Sequence, residues 1–329
     1  GSAASGSAAS GAGAPVSGQA AGSPAPSVEV VSPTAEPSAP PTATRRLTVP
    51  GIGMTLRENP GDAARLTAYR VGTATYVRAP GSEEFTRSDI ADAEPVLSPD
   101  GTMLALFTAG TITFVDVRKG GKFTVTPTVT VPGVLERPTW SRDGKRLLLT
   151  LSVPGEKPRP SGFVLVDPAA RTAMLVDTDD EARGGESQFA WLPDGSGVAV
   201  GYETGTGNGL RLRDLAGREL RTLRWVGQSY GRRTFSPSGR LFVTFCPSGG
   251  SLCLWDRATG VRQASIALPS PDMSLLGWYD DAHLIVHDPD GKKTHRVIVL
   301  DTRGREQRVL AEIPAAEDTD DLLLYYTRS

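Results

Sequence analysis

One stretch of the chain has the spacing of a serine nucleophile. Gly227-Gln-Ser-Tyr-Gly231 matches G-x-S-x-G, in which a sharp strand-to-helix turn exposes the serine hydroxyl beside an oxyanion hole. Two aspartates and two histidines follow in the order that such a site requires: Asp280, Asp281, His283 and His287. However, the residues after Gly231 predict another strand and a tight turn, and no segment is left over for a separate hydrolase domain. A chance match in a loop is the favoured interpretation, and we predict no catalytic residues.

The same region contains histidines that could bind a metal. His283 and His287 lie on the same face of one predicted strand, with carboxylates nearby. Four residues along a strand separate two side chains by about 13 Å, which is too far for one ion. Two acidic clusters, at 177–181 and 317–321, lack the ligand spacing of an EF-hand, so solvated loops are favoured over calcium sites. The sequence therefore predicts no metal and no cofactor.

Any functional side chain must be positioned by a repeat of 43 to 51 residues. Each unit opens with a tight turn, and the five turns begin at Ser98, Ser141, Leu192, Ser236 and Tyr279. An apolar run follows each turn, a further strand ends in aspartate, and a last strand closes the unit. Four strands per unit of this length is the period of a β-propeller blade, and no helical periodicity competes.

The residue before each turn is large and apolar: Leu97, Trp140, Trp191, Phe235 and Trp278. A sixth such position, Tyr326, lies in a C-terminal strand that no further blade follows. Near the N-terminus, residues 66–87 predict the second to fourth strands of a blade that lacks its first. Pairing of the C-terminal strand with this blade closes the ring and predicts six blades. Residues 46–56 compete for the same position, and seven blades remains the alternative count.

The repeat can now be compared with known families. The Ser-Pro-Asp-Gly turns, with the apolar strand after each, resemble the WD40-like repeat of TolB-type β-propellers, and residues 254–260 (Leu-Trp-Asp-Arg-Ala-Thr-Gly) resemble the blade ending of WD40 proteins. The resemblance covers roughly residues 93–310. The Gly-His dipeptide that usually opens a WD40 repeat is absent from all five units, which favours the TolB-like side and a bacterial origin. The resemblance implies a protein-binding or cell-envelope scaffold module.

Composition narrows the partner and the compartment. The chain has 329 residues, a net charge of −2 and 39% apolar residues, so nothing indicates a nucleic-acid partner. No apolar run reaches the 18 residues of a transmembrane helix. Residues 1–44 are almost wholly Ala, Ser, Gly, Pro, Thr and Val and predict a disordered tether, with a propeller over 45–329. We expect a monomeric extracytoplasmic domain that is secreted or membrane-tethered, and an artificial linker or a plain tail is the alternative explanation of the tether.

The two cysteines bear on the compartment. Cys246 and Cys253 flank a short Gly-rich turn, and a hairpin centred on Gly249-Gly250 would place them directly opposite each other. Cross-strand Cα separations of about 4.5–5.5 Å allow a disulfide, which would suit an oxidising compartment. Two buried thiols acting as small apolar residues remain an equal alternative.

Polar residues at the start of the inner strands are the candidate binding residues. Four of them lie three residues before the large apolar positions and should surround one mouth of the central channel: Glu94, Arg137, Gln188 and Arg232. Trp225 and Tyr230 lie in the loop that leads to Arg232, and tryptophan, tyrosine and arginine are enriched in binding hot spots. The alternative is that Trp225 packs between blades and the other residues are ordinary surface.

We therefore predict a non-enzymatic scaffold whose partner, a protein or cell-envelope component, binds on the face that carries the channel mouth. The alternative is a hydrolase or lyase that acts on glycan or peptide in the channel. Such an enzyme would need paired carboxylates or a metal cluster at the mouth, where only Glu94 is a candidate.

Overall fold

The repeated turns of the sequence are the units from which the fold is built. In the computed structural model, which describes residues 38–155, 159–178, 188–204 and 207–328, the Ser141 hydroxyl accepts a hydrogen bond from Arg146 N and donates one to Asp143. Ser98 does the same with Met103 N and Asp100. The serine thus connects the turn to the first residue of the next strand or to the residue before it, which explains its place in the repeat.

Twenty-six strands and one short 3₁₀ helix, Gly231–Arg233, form the described part of the chain. The first nine strands, β1 to β9, are Arg45–Thr48, Thr55–Glu58, Ala64–Val71, Ala74–Arg78, Phe85–Arg87, Glu94–Leu97, Met103–Thr108, Thr111–Asp116 and Lys122–Val125. Strands β10 to β17 are Val134–Trp140, Leu147–Val153, Arg159–Asp167, Thr172–Asp177, Ala190–Trp191, Gly197–Thr204, Gly207–Asp214 and Glu219–Arg224. Strands β18 to β26 are Gln228–Ser229, Leu241–Phe245, Ser251–Asp256, Arg262–Ala267, Ser274–Asp280, His283–Asp288, Thr294–Asp301, Glu306–Pro314 and Leu322–Arg328.

These strands form six antiparallel sheets, one for each predicted blade. Blades 2 to 5 are β6–β9, β10–β13, β14–β17 and β18–β21, each in sequence order. Blade 6 consists of β22–β25 with β2 and β1 added at its outer edge, and blade 1 has the order β26-β3-β4-β5. The prediction of an all-β propeller with six blades is confirmed.

The C-terminal strand closes the ring as predicted. Strand β26 pairs with β3 from Leu322 opposite Val71 to Arg328 opposite Ala64, and so supplies the inner strand of blade 1. The competing proposal for the N-terminal segment was wrong, because Thr55 and Leu56 pair instead with Glu312 and Ala311 at the outer edge of blade 6. Both ends of the folded region therefore cover strand edges that would otherwise be exposed.

The apolar core lies between neighbouring blades. One buried cluster joins Phe114 of blade 2 to Leu149 of blade 3, and equivalent clusters join each other neighbouring pair. The predicted tryptophans strengthen these junctions, since the indole N–H of Trp140 donates to Val96 O of the preceding blade at 2.9 Å. Trp191 and Trp278 make the corresponding bond at 3.1 and 3.0 Å. The large apolar register is therefore an inter-blade packing device.

Cys246 and Cys253 form a disulfide, with their Cα atoms 5.0 Å apart. The predicted hairpin register, with the turn centred on Gly249-Gly250, was wrong. The turn is centred one residue earlier, on Ser248-Gly249. Cys246 N donates to Ser251 O, and Cys253 lies opposite Thr244, so the cysteines are diagonal neighbours on the twisted hairpin. The Cα separation of this pair, 5.0 Å, lies within the range of disulfides.

Residues 39–329 form one compact unit. Most of the predicted tether, residues 1–37, lies outside the described residues, as do 179–187, which include most of the first acidic cluster. Within the described ranges no helix is long and apolar enough to cross a membrane.

Candidate functional site

The inner strands of the blades begin around one polar cavity of about 600 Å³. Five of the six predicted binding residues line it: Glu94, Arg137, Gln188, Tyr230 and Arg232. They come from blades 2 to 5, and they meet because every inner strand starts at the same end of the channel. Blades 6 and 1 contribute the remaining wall, including His287, His295 and Asp318. We call this cavity the mouth cavity.

Trp225 does not line the mouth cavity. It follows the outer strand of blade 4, is 61% exposed, and donates its backbone N–H to Asn208 O at 2.8 Å. It borders a smaller surface depression with Tyr202, Arg211 and Arg224. The sequence could not show that Trp225 lies far from Tyr230. Only five residues separate them in a loop, and that spacing does not define how far from the channel each residue lies.

Arg137 owes its position to a β-bulge. The pairing of β10 with β11 shifts between Glu136 and Thr139, and Arg137 has φ of 58°. A left-handed backbone at a residue other than glycine costs roughly 1–2 kcal/mol, and such residues persist where the surrounding structure imposes them. The bulge places the exposed Arg137 side chain in the wall of the mouth cavity.

Arg232 connects the mouth cavity to the deeper channel. Its Nη1 lies 3.4 Å from Glu94 Oε1, and its Cζ lies 5.0 Å from the centre of the Tyr325 ring. Burial, and secondly the nearby Glu94 carboxylate, raise the pKa of Tyr325 to about 12. The phenol therefore stays protonated at neutral pH and is available as a hydrogen-bond donor, not as a base.

Two histidines and an aspartate meet at the rim between blades 6 and 1. His287 Nε2 lies 2.6 Å from Asp318 Oδ2, and His295 Nδ1 lies 2.5 Å from the same oxygen. The three side chains are 19%, 17% and 10% exposed. The sequence did contain a signal, because His287 and His295 flank one hairpin turn and so belong to the same end of the blade.

Comparisons with known proteins agree with this architecture. The sequence matches no protein-family model, and no curated protein matches it. Among solved structures, TolB from Acinetobacter baumannii superposes with a TM-score of 0.54 at 16% identity, over 83% of this chain and 67% of that one. The fold is a six-bladed β-propeller, similar to that of TolB.

Two further solved structures superpose less well. A putative TolB from Agrobacterium tumefaciens gives a TM-score of 0.47 at 16% identity, covering 81% of this chain and 99% of that one. Hydrazine synthase from Kuenenia stuttgartiensis gives 0.48 at 15% identity, covering 86% and 90%. At these identities the likeness concerns the fold alone, so any function must be argued from the residues.

His283 belongs to a different network from His287. It is buried, and its Nδ1 lies 2.8 and 3.0 Å from the two carboxylate oxygens of Asp280. His287 is at the other end of the same strand, in the mouth cavity. The partner of His287 was therefore missed, because it comes from the neighbouring strand and not from its own.

The G-x-S-x-G match has no catalytic geometry in the described residues. Ser229 belongs to the short inner strand of blade 5, and a single 3₁₀ turn, not an α-helix, follows it. Its hydroxyl oxygen is buried and has no hydrogen-bond partner among the residues that the structure describes. A serine nucleophile needs a base within hydrogen-bond reach, and none of the described histidines lies there.

The second acidic cluster is not simply a solvated loop. Glu317 Oε2 accepts a hydrogen bond from Gly53 N at 2.7 Å and so fastens the N-terminal segment to the turn before β26. Asp318 contacts both histidines of the rim. The interpretation of 317–321 as solvated is corrected for Asp318, whose side chain is only 10% exposed and whose partners lie more than 20 positions away.

Proposed function

We propose that this propeller is an extracytoplasmic binding module that holds a protein partner at the mouth cavity. The observation that carries the proposal is the convergence of Glu94, Arg137, Gln188, Tyr230 and Arg232 from four successive blades on one polar cavity. A concave site with a few convergent polar groups is the default binding site of a protein. Tyrosine and arginine are also the side chains that most often dominate binding energy.

The charges of the mouth cavity indicate what the partner presents. Arg232 has Glu94 as its ion-pair partner, whereas no carboxylate among the described residues pairs with Arg137. A guanidinium that has no carboxylate partner within the described part of the chain favours a binding partner that supplies one, because Arg–carboxylate pairs are bidentate and strong. The partner segment that enters the cavity should therefore be acidic or end in a free α-carboxylate.

Two features support a location outside the cytoplasm. The Cys246–Cys253 disulfide is of a kind that persists in oxidising compartments and is rare in the cytosol. The composition of residues 1–44 suits a flexible tether that holds the propeller away from an anchor.

The first prediction tests the mouth cavity. A partner is captured from envelope extract with the wild-type protein and identified, and its affinity is then measured with purified components. The Arg137→Gly, Arg232→Gln double variant should bind at least about tenfold more weakly, since each lost charged contact removes more than 1 kcal/mol. Glycine suits the left-handed backbone at position 137, so that substitution should not impair folding. Urea denaturation of the double variant checks that loss of the Arg232–Glu94 pair leaves the protein folded.

A matched control exists in the same blade. Arg171 also has a left-handed backbone, with φ of 55°, but it lies in the turn between β12 and β13, at the opposite strand ends from the mouth. Arg171→Gly should therefore leave the affinity unchanged. Equal affinity of the double variant and the wild type would refute partner binding at the mouth cavity.

An enzyme acting in the channel is the second candidate, and one observation favours it. Glu94, Asp318 and Asp320 all line the mouth cavity, so it has more carboxylates than the sequence predicted. Paired carboxylates are what glycoside hydrolysis uses. Turnover of a glycan or peptide by the purified protein, lost in Glu94→Gln, would establish this candidate in place of the scaffold.

A further inference from the structure

We propose that His287, His295 and Asp318 form a binding site for a divalent transition-metal ion, with Zn²⁺ as the best match, at the rim of the mouth cavity. The proposal is independent of the binding function above, since the site can hold an ion whether or not a protein occupies the cavity. All three ligand atoms lie within 4.8 Å of one another.

The fold brings the histidines together through strand register. His287 lies near the end of β23 and opposite Val297 of β24, while His295 lies two residues before Val297 on that same strand. Residues two apart share a sheet face, so the two imidazoles are diagonal neighbours on one side of blade 6. Both are anchored in regular strands, and such positions hold ligands more rigidly than loops do.

Asp318 reaches this pair from the turn between β25 and β26. Its backbone N–H donates to Pro314 O at 3.2 Å, and Glu317 N donates to the same carbonyl at 2.9 Å. Leu322 N closes the other side of the segment on Thr319 O at 2.9 Å. The turn is thus fixed at both ends, and ring closure by β26 places its carboxylate over the hairpin of blade 6.

The ligand chemistry selects the class of metal. Two imidazole nitrogens and one carboxylate oxygen suit zinc and its first-row neighbours, whereas Mg²⁺ and Ca²⁺ prefer oxygen ligands throughout. Zinc bonds of about 2.0–2.1 Å at tetrahedral angles place ligand atoms about 3.3 Å apart. The present N···O separations of 2.6 and 2.5 Å therefore require Asp318 to withdraw by less than about 1 Å.

The site would be open on one side. Three protein ligands leave a fourth tetrahedral position, as in zinc sites that bind water or an external group. All three residues line the mouth cavity, so an external group would reach this position from the cavity. A carboxylate or imidazole of an external molecule could occupy it.

The structure also suggests a metal-free alternative, in which Asp318 simply accepts hydrogen bonds from both imidazoles. Uptake of Zn²⁺ by the purified protein distinguishes the metal site from this metal-free arrangement. Untagged protein, stripped with EDTA and dialysed, should bind one Zn²⁺ ion per molecule in isothermal titration calorimetry. Co²⁺ in its place should develop the visible absorption of a tetrahedral site.

The protein has three histidines in all, which provides a matched control. His295→Ala and Asp318→Asn should each weaken Zn²⁺ binding by at least about tenfold. Loss of a residue that merely supports a metal ligand already has an effect of this size, and these two residues are ligands. His283→Gln, which alters the one histidine outside the cluster, should bind as the wild type does. Thermal unfolding in EDTA checks that each variant is folded.

Absence of Zn²⁺ uptake by the wild type, or equal uptake by folded His295→Ala, would overturn the metal site and favour the hydrogen-bonded cluster. Partner capture measured in EDTA separates this result from the proposed binding function, because a failed metal site leaves that measurement interpretable.

Discussion

Glu58 ends strand β2 and carries a carboxylate into the interior of the molecule. It accepts two hydrogen bonds from Arg78 of blade 1, at 2.7 and 3.0 Å, and Arg78 also donates to Leu66 O at 2.7 Å. The side chains are only 11% and 4% exposed. A hydrogen-bonded pair this deep is costly to break, because the remaining charge has no water to replace its partner.

Glu58→Gln should therefore lower the free energy of unfolding by about 3 kcal/mol or more. Urea denaturation followed by tryptophan fluorescence measures the change. Glu83→Gln is the matched control, since Glu83 pairs with Arg45 at the surface, where the two side chains are 52% and 48% exposed. An exposed pair contributes at most about 1 kcal/mol. Similar losses in the two variants would mean that the Glu58 pair is not buried in solution.

The position of a single residue could be predicted from the sequence where the repeat itself defines that position. Arg137 and Arg232 could be placed at a channel mouth because they hold a constant offset from the large apolar register. The burial of Glu58 could not be foreseen, because its partner Arg78 lies on another blade.

The tight turns are the elements that the repeat conserves within this protein, and their aspartates are caps. The Ser141 hydroxyl and, secondly, the Lys145 backbone N–H hold the pKa of Asp143 below its ordinary value. The pKa of Asp100 is lowered for the same first reason, by Ser98. The strand-end aspartate Asp256 accepts a backbone N–H bond from Thr259 within its turn, and this bond also lowers the pKa of the Asp256 carboxyl. These hydrogen bonds confirm the predicted role of the aspartates as turn caps. They also explain the lowered pKa values of Asp100, Asp143 and Asp256, because a hydrogen bond to a carboxylate favours its charged form.

The stability of the propeller should accordingly fall in acid. A carboxyl whose pKa is lower in the folded than in the unfolded state stabilises the fold above its unfolded value, about 3.9. That contribution disappears as the pH falls through the lower folded value. Urea midpoints measured from about pH 5 to pH 3 should therefore decrease.

Asp143→Asn should remove part of this pH dependence, and Ser141→Ala should do so as well, because it deletes the main donor to Asp143. A pH profile of Asp143→Asn that runs parallel to that of the wild type would contradict the role of the turn.

Closure of the ring is a property of the whole molecule. Strand β26 buries Leu324 and Tyr325 and covers the inner edge of β3. Removal of residues 321–329 should lower the free energy of unfolding by about 3 kcal/mol or more, through lost apolar burial alone. The uncovered edge of β3 should also promote aggregation, which size-exclusion chromatography would detect.

A rescue experiment and a control truncation test whether the loss of stability comes from the missing strand β26. A synthetic peptide of residues 321–329 should restore part of the stability by pairing with β3. Removal of residues 1–37, which belong to the proposed tether, should leave the urea midpoint unchanged. A truncated protein with the wild-type midpoint would show that the C-terminal strand does not close the ring.

The sequence by itself predicted six blades, closure by the C-terminal strand and the end of the blades at which the channel-mouth residues lie, and the structure excluded the seven-blade alternative. These follow from local rules, namely turn chemistry, strand alternation and a constant register, and local rules are legible along the sequence. The tertiary structure alone decided where β1 and β2 attach, which cysteine register the hairpin adopts and that Trp225 lies apart from the mouth cavity.

It also decided the meeting of His287, His295 and Asp318. Two of these residues are related by strand register and the third by ring closure, so their proximity depends on contacts between segments. The hairpin that relates His287 to His295 can be recognised in the sequence, but the contact of Asp318 with them depends on ring closure, so the complete cluster could be found only in the folded molecule.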